Sequence, residues 1–320
     1  MTFNAWQWLA PLDRRLAWLI GALLLLAIAL TQPMLAWKRD VFNAVFVIDI
    51  TQSMNTKDYQ VDGQPVSRLQ ISKDSLRKAL LQMPCGSKVG MGIFNEYRSF
   101  LLLAPIEVCS NYTELMGTLS HISGKMAWAG GSEIAKGLNW GLKMAKSLEP
   151  RPSLVFLTDG HEAPPIRMNQ RPHIDMAPGQ VQGLLVGLGG AELSPIPKID
   201  PEGNSLGFWR ADEVAQTDIY SQGRGGSVAG EKMSDDNKAD ASGTQRSQTE
   251  HLSSLKGIYL QLLAQETGLS YARLSQANEL TMLLTSSGLG QRRDVPTALA
   301  WLPASLALGA LLVCYLWRFR

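Results

Sequence analysis

Two aspartates and three hydroxyl residues stand at positions from which they can share one hard cation. Asp49, Thr51 and Ser53 alternate directly after the apolar run Ala44–Ile48, so their side chains can point the same way on an extended loop. Gly130-Gly131-Ser132 precedes a helical pattern, and Thr158-Asp159-Gly160 ends a second apolar run, Leu154–Leu157. Oxygen ligands of this kind suit Mg²⁺, which takes about six in near-octahedral array and commonly retains water. Ca²⁺ and Mn²⁺ use the same donors. Five protein ligands leave the set incomplete, which predicts a partner protein that supplies an Asp or Glu carboxylate to the ion. The plainer alternatives are local: an Asp after a strand as a turn or cap residue, and Ser132 as a helix N-cap.

Other chemistry is sparse. His161 and Glu162 follow Asp159 and either flank the metal or form an exposed loop pair, while Gly130, Gly131 and Trp128 would rim the site. His121, His173 and His251 lack zinc-type spacing. There is no phosphate-binding Gly-x-x-x-x-Gly-Lys-Ser/Thr loop and no Gly-x-Ser-x-Gly nucleophile elbow. Asp49 could serve as nucleophile in a metal-dependent phosphoester hydrolase, but Thr51 stands where that chemistry needs a general acid. The expectation is therefore a binding protein, not an enzyme. A net charge of +2 over 320 residues gives no electrostatic case for nucleic acid.

The elements that must position these residues alternate between strand and helix from 41 to 285, which predicts an α/β sheet with helices on both faces. Ala44–Ile48, Val89–Phe94, Leu154–Thr158 and Gly183–Leu188 read as buried strands, and Phe100–Ala104 as an antiparallel edge strand. Helices are expected over Ser67–Met83, after Ser110 or Asn111, over Ser132–Leu148, over Leu252–Glu266 and over Asn278–Leu284, with a last strand at Ser270–Leu274. An insert at about 190–250 begins with the Pro-broken string SPIPKIDPEG; its polar part, 221–250, including Gly223–Ser227, reads as a flexible linker.

Uncharged apolar stretches over 16–37 and 298–317, each bordered by Trp, predict transmembrane helices next to short tails at 1–15 and 318–320. A cleaved signal peptide is the alternative for the first. Basic residues flank both stretches almost equally, so charge does not orient them. Cys85 and Cys109 bracket the two expected hairpin strands and come close to facing each other, within disulfide range; two unrelated buried thiols are the alternative. A disulfide would place the domain in an oxidising compartment, periplasmic or otherwise extracytoplasmic.

The combined words resemble the metal-ion-dependent adhesion site (MIDAS) of the von Willebrand factor A (VWA) family, D-x-S-x-S, then a Thr after a Gly-rich turn, then T-D-G. Thr51 replaces a Ser and Ser132 a Thr, both keeping a hydroxyl. The resemblance implies a Rossmann-like VWA domain: a mostly parallel sheet with one antiparallel edge strand, here between two transmembrane helices. Pro84–Lys88, Met126–Gly130 and Thr158–Pro165 are similar to proteins of bacterial methanol-oxidation clusters, the MxaL and MxaC type. That likeness implies a two-span protein of the bacterial inner membrane whose domain faces the periplasm. It would assist assembly, maturation or calcium loading of a methanol dehydrogenase, with other VWA proteins and a MoxR-type AAA+ ATPase as partners. The more general alternative is a MoxR-associated, BatA-like protein in envelope stress or complex assembly.

Overall fold

A computed structural model describes residues 14–127, 130–166, 172–200, 202–216 and 249–316. In chain order the elements are α1 (Arg14–Leu30), β1 (Met34–Val41), β2 (Asn43–Asp49), β3 (Tyr59–Val61), β4 (Gln64–Val66), α2 (Arg68–Gln82), β5 (Lys88–Asn95) and β6 (Arg98–Glu107). Then come α3 (Tyr112–His121), α4 (Ile134–Ser147), β7 (Ser153–Thr158), β8 (Gly183–Gly187), β9 (Ser194–Pro195), β10 (Pro197–Ile199) and β11 (Ser205–Phe208). The last are β12 (Leu252–Ser253), α5 (Gly257–Thr267), β13 (Ser270–Arg273), α6 (Leu280–Ser286), β14 (Gln291–Ala298) and α7 (Trp301–Leu316).

The chain divides into two units, one within Met1–Arg39 and Arg292–Arg320, the other Asp40–Gln291. The second unit is built on a six-stranded sheet in the order β13-β8-β7-β2-β5-β6. Its strands pair in parallel except β6, which runs antiparallel to β5 at the edge. β2 is central, and its alternating side chains feed two cores. Phe46 and Ile48 join Leu76, Leu80, Leu115, Leu119 and Leu284 on one face. Val45 and Val47 join Leu138, Leu142, Phe156, Leu260 and Leu263 on the other. Each such side chain, wholly buried, contributes about 1.5–3 kcal/mol, which fixes the strand ends in space. α4 lies so close to β5 that a Cβ at Gly137 would fall 2.0 Å from the Phe94 ring.

Two boundaries differ from the sequence reading for physical reasons. Ser132 is not the start of α4: Glu133 occupies the N-cap, and Ser132 is extended, exchanging both backbone hydrogen bonds with Ala163 at 2.7 and 2.8 Å. The helix expected from Leu252 starts at Gly257, because Leu252–Ser253 pairs as a strand with Ser194–Pro195. Leu255 N–H then donates to Gly190 O, and Lys256 N–H to Asp159 O. The start of the insert also forms structure, as β10 and β11 pair antiparallel. Most of the expected flexible stretch, 221–250, lies outside the described residues.

The expectation of transmembrane helices over 16–37 and 298–317 is corrected. Among the described residues no helix is long and apolar enough to cross a membrane. α1 has 17 residues and α7 has 16. Within the described residues they span roughly 26 and 24 Å at 1.5 Å per residue, against a hydrocarbon core of about 30 Å. Gln32 with φ +46° and the following Pro33 end the first helix, and Met34–Val41, which carries Trp37, is strand. α1 packs against α7, and β1 pairs with β14. The two-span topology and the inner-membrane location lose their basis with the spans, and the periplasmic placement, which the sequence drew from the Cys85–Cys109 pairing, loses the membrane that oriented it.

Candidate functional site

The carboxyl ends of β2 and β7, neighbouring strands at the middle of the sheet, bring Asp49 and Asp159 to one edge. Thr51 follows β2, and Ser53 sits on the 3-10 turn Gln52–Asn55. All five expected ligands are buried: Asp49 and Asp159 fully, Thr51, Ser53 and Ser132 to within 3%. Asp49 Oδ1 accepts from Thr51 N–H (2.9 Å) and Thr51 Oγ1 (2.7 Å), and its Oδ2 accepts from Thr158 Oγ1 (2.6 Å). The Thr51 and Ser53 hydroxyls lie 3.4 Å apart. Asp159 Oδ1 accepts from His161 N–H at 2.9 Å. The turn role of a strand-end aspartate is thus real here, since each Asp ties down the residue two positions on.

Among the described residues no cationic side chain is in hydrogen-bond contact with Asp49. Burial, and then repulsion from Asp159, push its carboxyl up to about 7 against the bonds from Thr158 and Thr51. Ser132 Oγ is buried and has no hydrogen-bond partner among the described residues. A buried hydroxyl without a partner requires an explanation, and a hard cation supplies one that a helix cap does not. The donors are all oxygen and the two carboxylates balance a divalent charge, so these residues fit such an ion.

Sequence reasoning missed the group that dominates the electrostatics. Arg68, the first residue of α2, is fully buried and reaches across to the site. Its Nη1 donates to Asp159 Oδ2 (2.5 Å) and Ser253 Oγ (2.7 Å); Nη2 donates to Asp58 Oδ2 (2.6 Å) and Ser253 O (3.1 Å). Nε donates to both Asp58 oxygens at 3.1 and 3.0 Å. Burial alone would raise the Asp159 carboxyl, but the Arg68 charge, helped by the hydrogen bond from His161 N–H, holds it below the usual carboxylate value. A signal for Arg68 did exist. An arginine at the first position of a helix with no acid in its first turn opposes the helix dipole, and such a residue needs a reason elsewhere.

The expected rim divides. His161 is buried; burial, with Lys256 and Arg68, lowers its imidazole to about 4 against the pull of Asp159, so the ring is neutral. Glu162 is no exposed loop residue. It accepts from Tyr259 Oη (2.5 Å) and Ala135 N–H (3.3 Å), tying α5 to the start of α4, and burial raises it to about 8. A Cβ at Gly130 would meet nothing within 4 Å and one at Gly131 would make ordinary contact with Ala163 O, so no close protein approach demands these glycines. Trp128 lies outside the described residues. The indole beside the site is instead Trp209 of the insert, whose Nε1 donates to Gln52 Oε1 at 2.5 Å.

Cys85 and Cys109 are joined in a disulfide. With Glu107 they form a possible metal-coordinating cluster, their donor atoms lying within 4.8 Å of one another. Metal ligation by cysteine uses the thiolate, which the disulfide removes. The Glu107 oxygens already accept from Gly86 N–H (2.7 Å), Ser110 N–H (2.7 Å) and Ser110 Oγ (2.6 Å). The strand-end site is the stronger candidate.

Residues 44–161 match the family profile of the von Willebrand factor type A domain. No curated protein matches the chain. An aerotolerance-related membrane protein from Bacteroides fragilis has a similar structure at 19% identity, with 77% of this chain and 98% of that chain covered and a TM-score of 0.47. BatB from Bacteroides thetaiotaomicron gives 18% identity, 77% and 96% coverage and a TM-score of 0.48. The PilB minor pilin of Streptococcus sanguinis gives 14%, 78% and 60%, and 0.39. The narrower likeness to methanol-oxidation proteins is corrected: the profile that matches is that of the general domain. With no membrane-crossing helix among the described residues, the expected membrane-bound ATPase partner and the carboxylate-donating partner lose their basis as well.

Proposed function

We propose that this chain is a non-enzymatic protein-interaction module of the VWA type, Bat-like in character, that serves the assembly of protein complexes. Its contact surface is the carboxyl edge of the sheet, and Asp49, Thr51, Ser53, Ser132 and Asp159 form a divalent-cation site there, with Mg²⁺ as the first candidate and Ca²⁺ or Mn²⁺ as alternatives. The observation that carries this reading is the buried Ser132 hydroxyl, without a hydrogen-bond partner among the described residues, on the same edge as two buried strand-end carboxylates. The insert adds a second kind of surface. β11 leaves Leu206 59% and Phe208 57% exposed, next in sequence to the Trp209 that bonds Gln52 between Thr51 and Ser53. Exposed apolar side chains beside buried polar residues suit a protein-contact surface.

Both oxygens of Asp49 are engaged by Thr51 and Thr158, which disfavours its use as a nucleophile. Titration of the purified chain with Mn²⁺, followed by electron paramagnetic resonance, tests the site. Saturable uptake that Asp49→Asn and Ser132→Ala both weaken is expected. Equal uptake by all three proteins would refute the assignment.

A further inference from the structure

Arg68 is shared between two carboxylates, and the sharing is unequal. Asp58 takes Nε and Nη2, whereas Asp159 takes Nη1 alone. Asp58 is held in turn by Gly190 N–H at 2.8 Å. Ser253 braces the guanidinium through both its hydroxyl and its carbonyl, and its hydroxyl donates on to Asp159 Oδ2 at 3.2 Å. Gly189 makes room for the group: with φ +119°, its Cβ would lie 2.9 Å from Arg68 Nε. The cation is therefore seated in a built pocket.

We propose that Arg68 is a resident competitor of the divalent ion for Asp159, and that Asp58 makes the exchange possible. The proposal rests on the reading of Asp49, Thr51, Ser53, Ser132 and Asp159 as ligands. The charge count supports it. Asp49, Asp58 and Asp159, when ionised, carry three negative charges against the single positive charge of Arg68. If Arg68 keeps Asp58, that pair is neutral, and the remaining two carboxylates match a divalent ion. If Arg68 keeps Asp159, the ion faces one free carboxylate and a neighbouring guanidinium that repels it. Cation affinity is then set by how strongly Asp58 draws Arg68 away, and Arg68 becomes an affinity-determining residue for the site without itself ligating the ion.

Two substitutions should act in opposite directions on Mn²⁺ binding by the full chain, measured by electron paramagnetic resonance and calorimetry. Arg68→Met removes the competitor at similar length, and should bind Mn²⁺ at least about tenfold more tightly than wild type. Asp58→Asn leaves Asp159 as the only carboxylate for Arg68, and should bind at least about tenfold more weakly. Asp49→Asn added to Arg68→Met should abolish most of the gain, which locates it at this site. If wild type binds Mn²⁺ and both variants stay within about twofold of it, the competition is refuted while the cation site stands. If no protein binds Mn²⁺, Arg68→Met included, the ligand reading and the competition fail together. Should Arg68→Met not fold, as its circular dichroism would reveal, Asp58→Asn still decides the question.

Discussion

Replacing Asp58 with alanine removes the main counter-ion of a wholly buried arginine, and the structure allows the cost to be worked out. The Arg68 and Asp58 side chains are 0% and 7% exposed, so solvent does little to screen the pair. The guanidinium would keep Asp159 and Ser253 but lose three hydrogen bonds to Asp58, and Gly190 N–H would lose its acceptor. Breaking a buried pair from one side costs about 3–5 kcal/mol, most of it the price of the charge left behind. The retained Asp159 favours the lower end, and the orphaned N–H adds about 1 kcal/mol. The sum, about 4–6 kcal/mol, lowers Tm by roughly 8–24 °C for a domain of roughly 250 residues. The same chain offers a control in Lys143–Asp175, where the side chains are 43% and 49% exposed. Asp175→Ala should stay within about 0.5 kcal/mol of wild type. Urea unfolding followed by circular dichroism reads both. An Asp58→Ala loss below about 1 kcal/mol, indistinguishable from a surface pair, would refute the reasoning.

Three further outcomes follow from other parts of the fold. Burial raises the Glu162 carboxyl to about 8 against bonds from Tyr259 and Ala135. The unfolded chain ionises first, so the stability Glu162 contributes is present below its unfolded value near 4.5 and is lost as pH rises toward 8. Glu162→Gln should flatten that part of the urea-midpoint profile, and an unchanged slope would count against it. Gly137→Ala places a methyl group 2.0 Å from the Phe94 ring, and overpacking of this kind costs about 1–3 kcal/mol; thermal melts of the variant at wild-type stability would show that α4 shifts without penalty. Reducing the Cys85–Cys109 bond frees a loop with a sequence separation of 24 residues, worth about 3 kcal/mol in chain entropy. A reduced sample that melts with the oxidised one would contradict that.

The central strands were legible because Ala44–Ile48 and Leu154–Leu157 are continuous apolar runs, and a central parallel strand leaves no other option for such runs. The antiparallel edge was legible because Asn95–Arg98 makes a short turn between two strand patterns; Phe94 faces Ser99 across it. The two aspartates could be placed at one edge because each ends such a run. Arg68, Asp58 and Ser253 could not be found in this way. They come together from the start of α2, the loop before β3 and the short strand β12, and no local pattern connects those places. Ser132 was assigned to the helix because Ser before a helical pattern reads as a cap, whereas the pairing that makes it extended involves Ala163, thirty-one positions away. The apolar end stretches misled in the opposite sense. Their hydropathy continues through Met34–Trp37, but Gln32 and Pro33 turn the chain out of the helix first.

Crystals grown with Mn²⁺ and measured at its absorption edge would test the cation site most directly. The account predicts an anomalous peak at the carboxyl edge of the sheet, within ligand distance of the Thr51, Ser53 and Ser132 hydroxyls. A peak at Cys85, Glu107 and Cys109 instead, or none at the strand ends in crystals saturated with the metal, would contradict it.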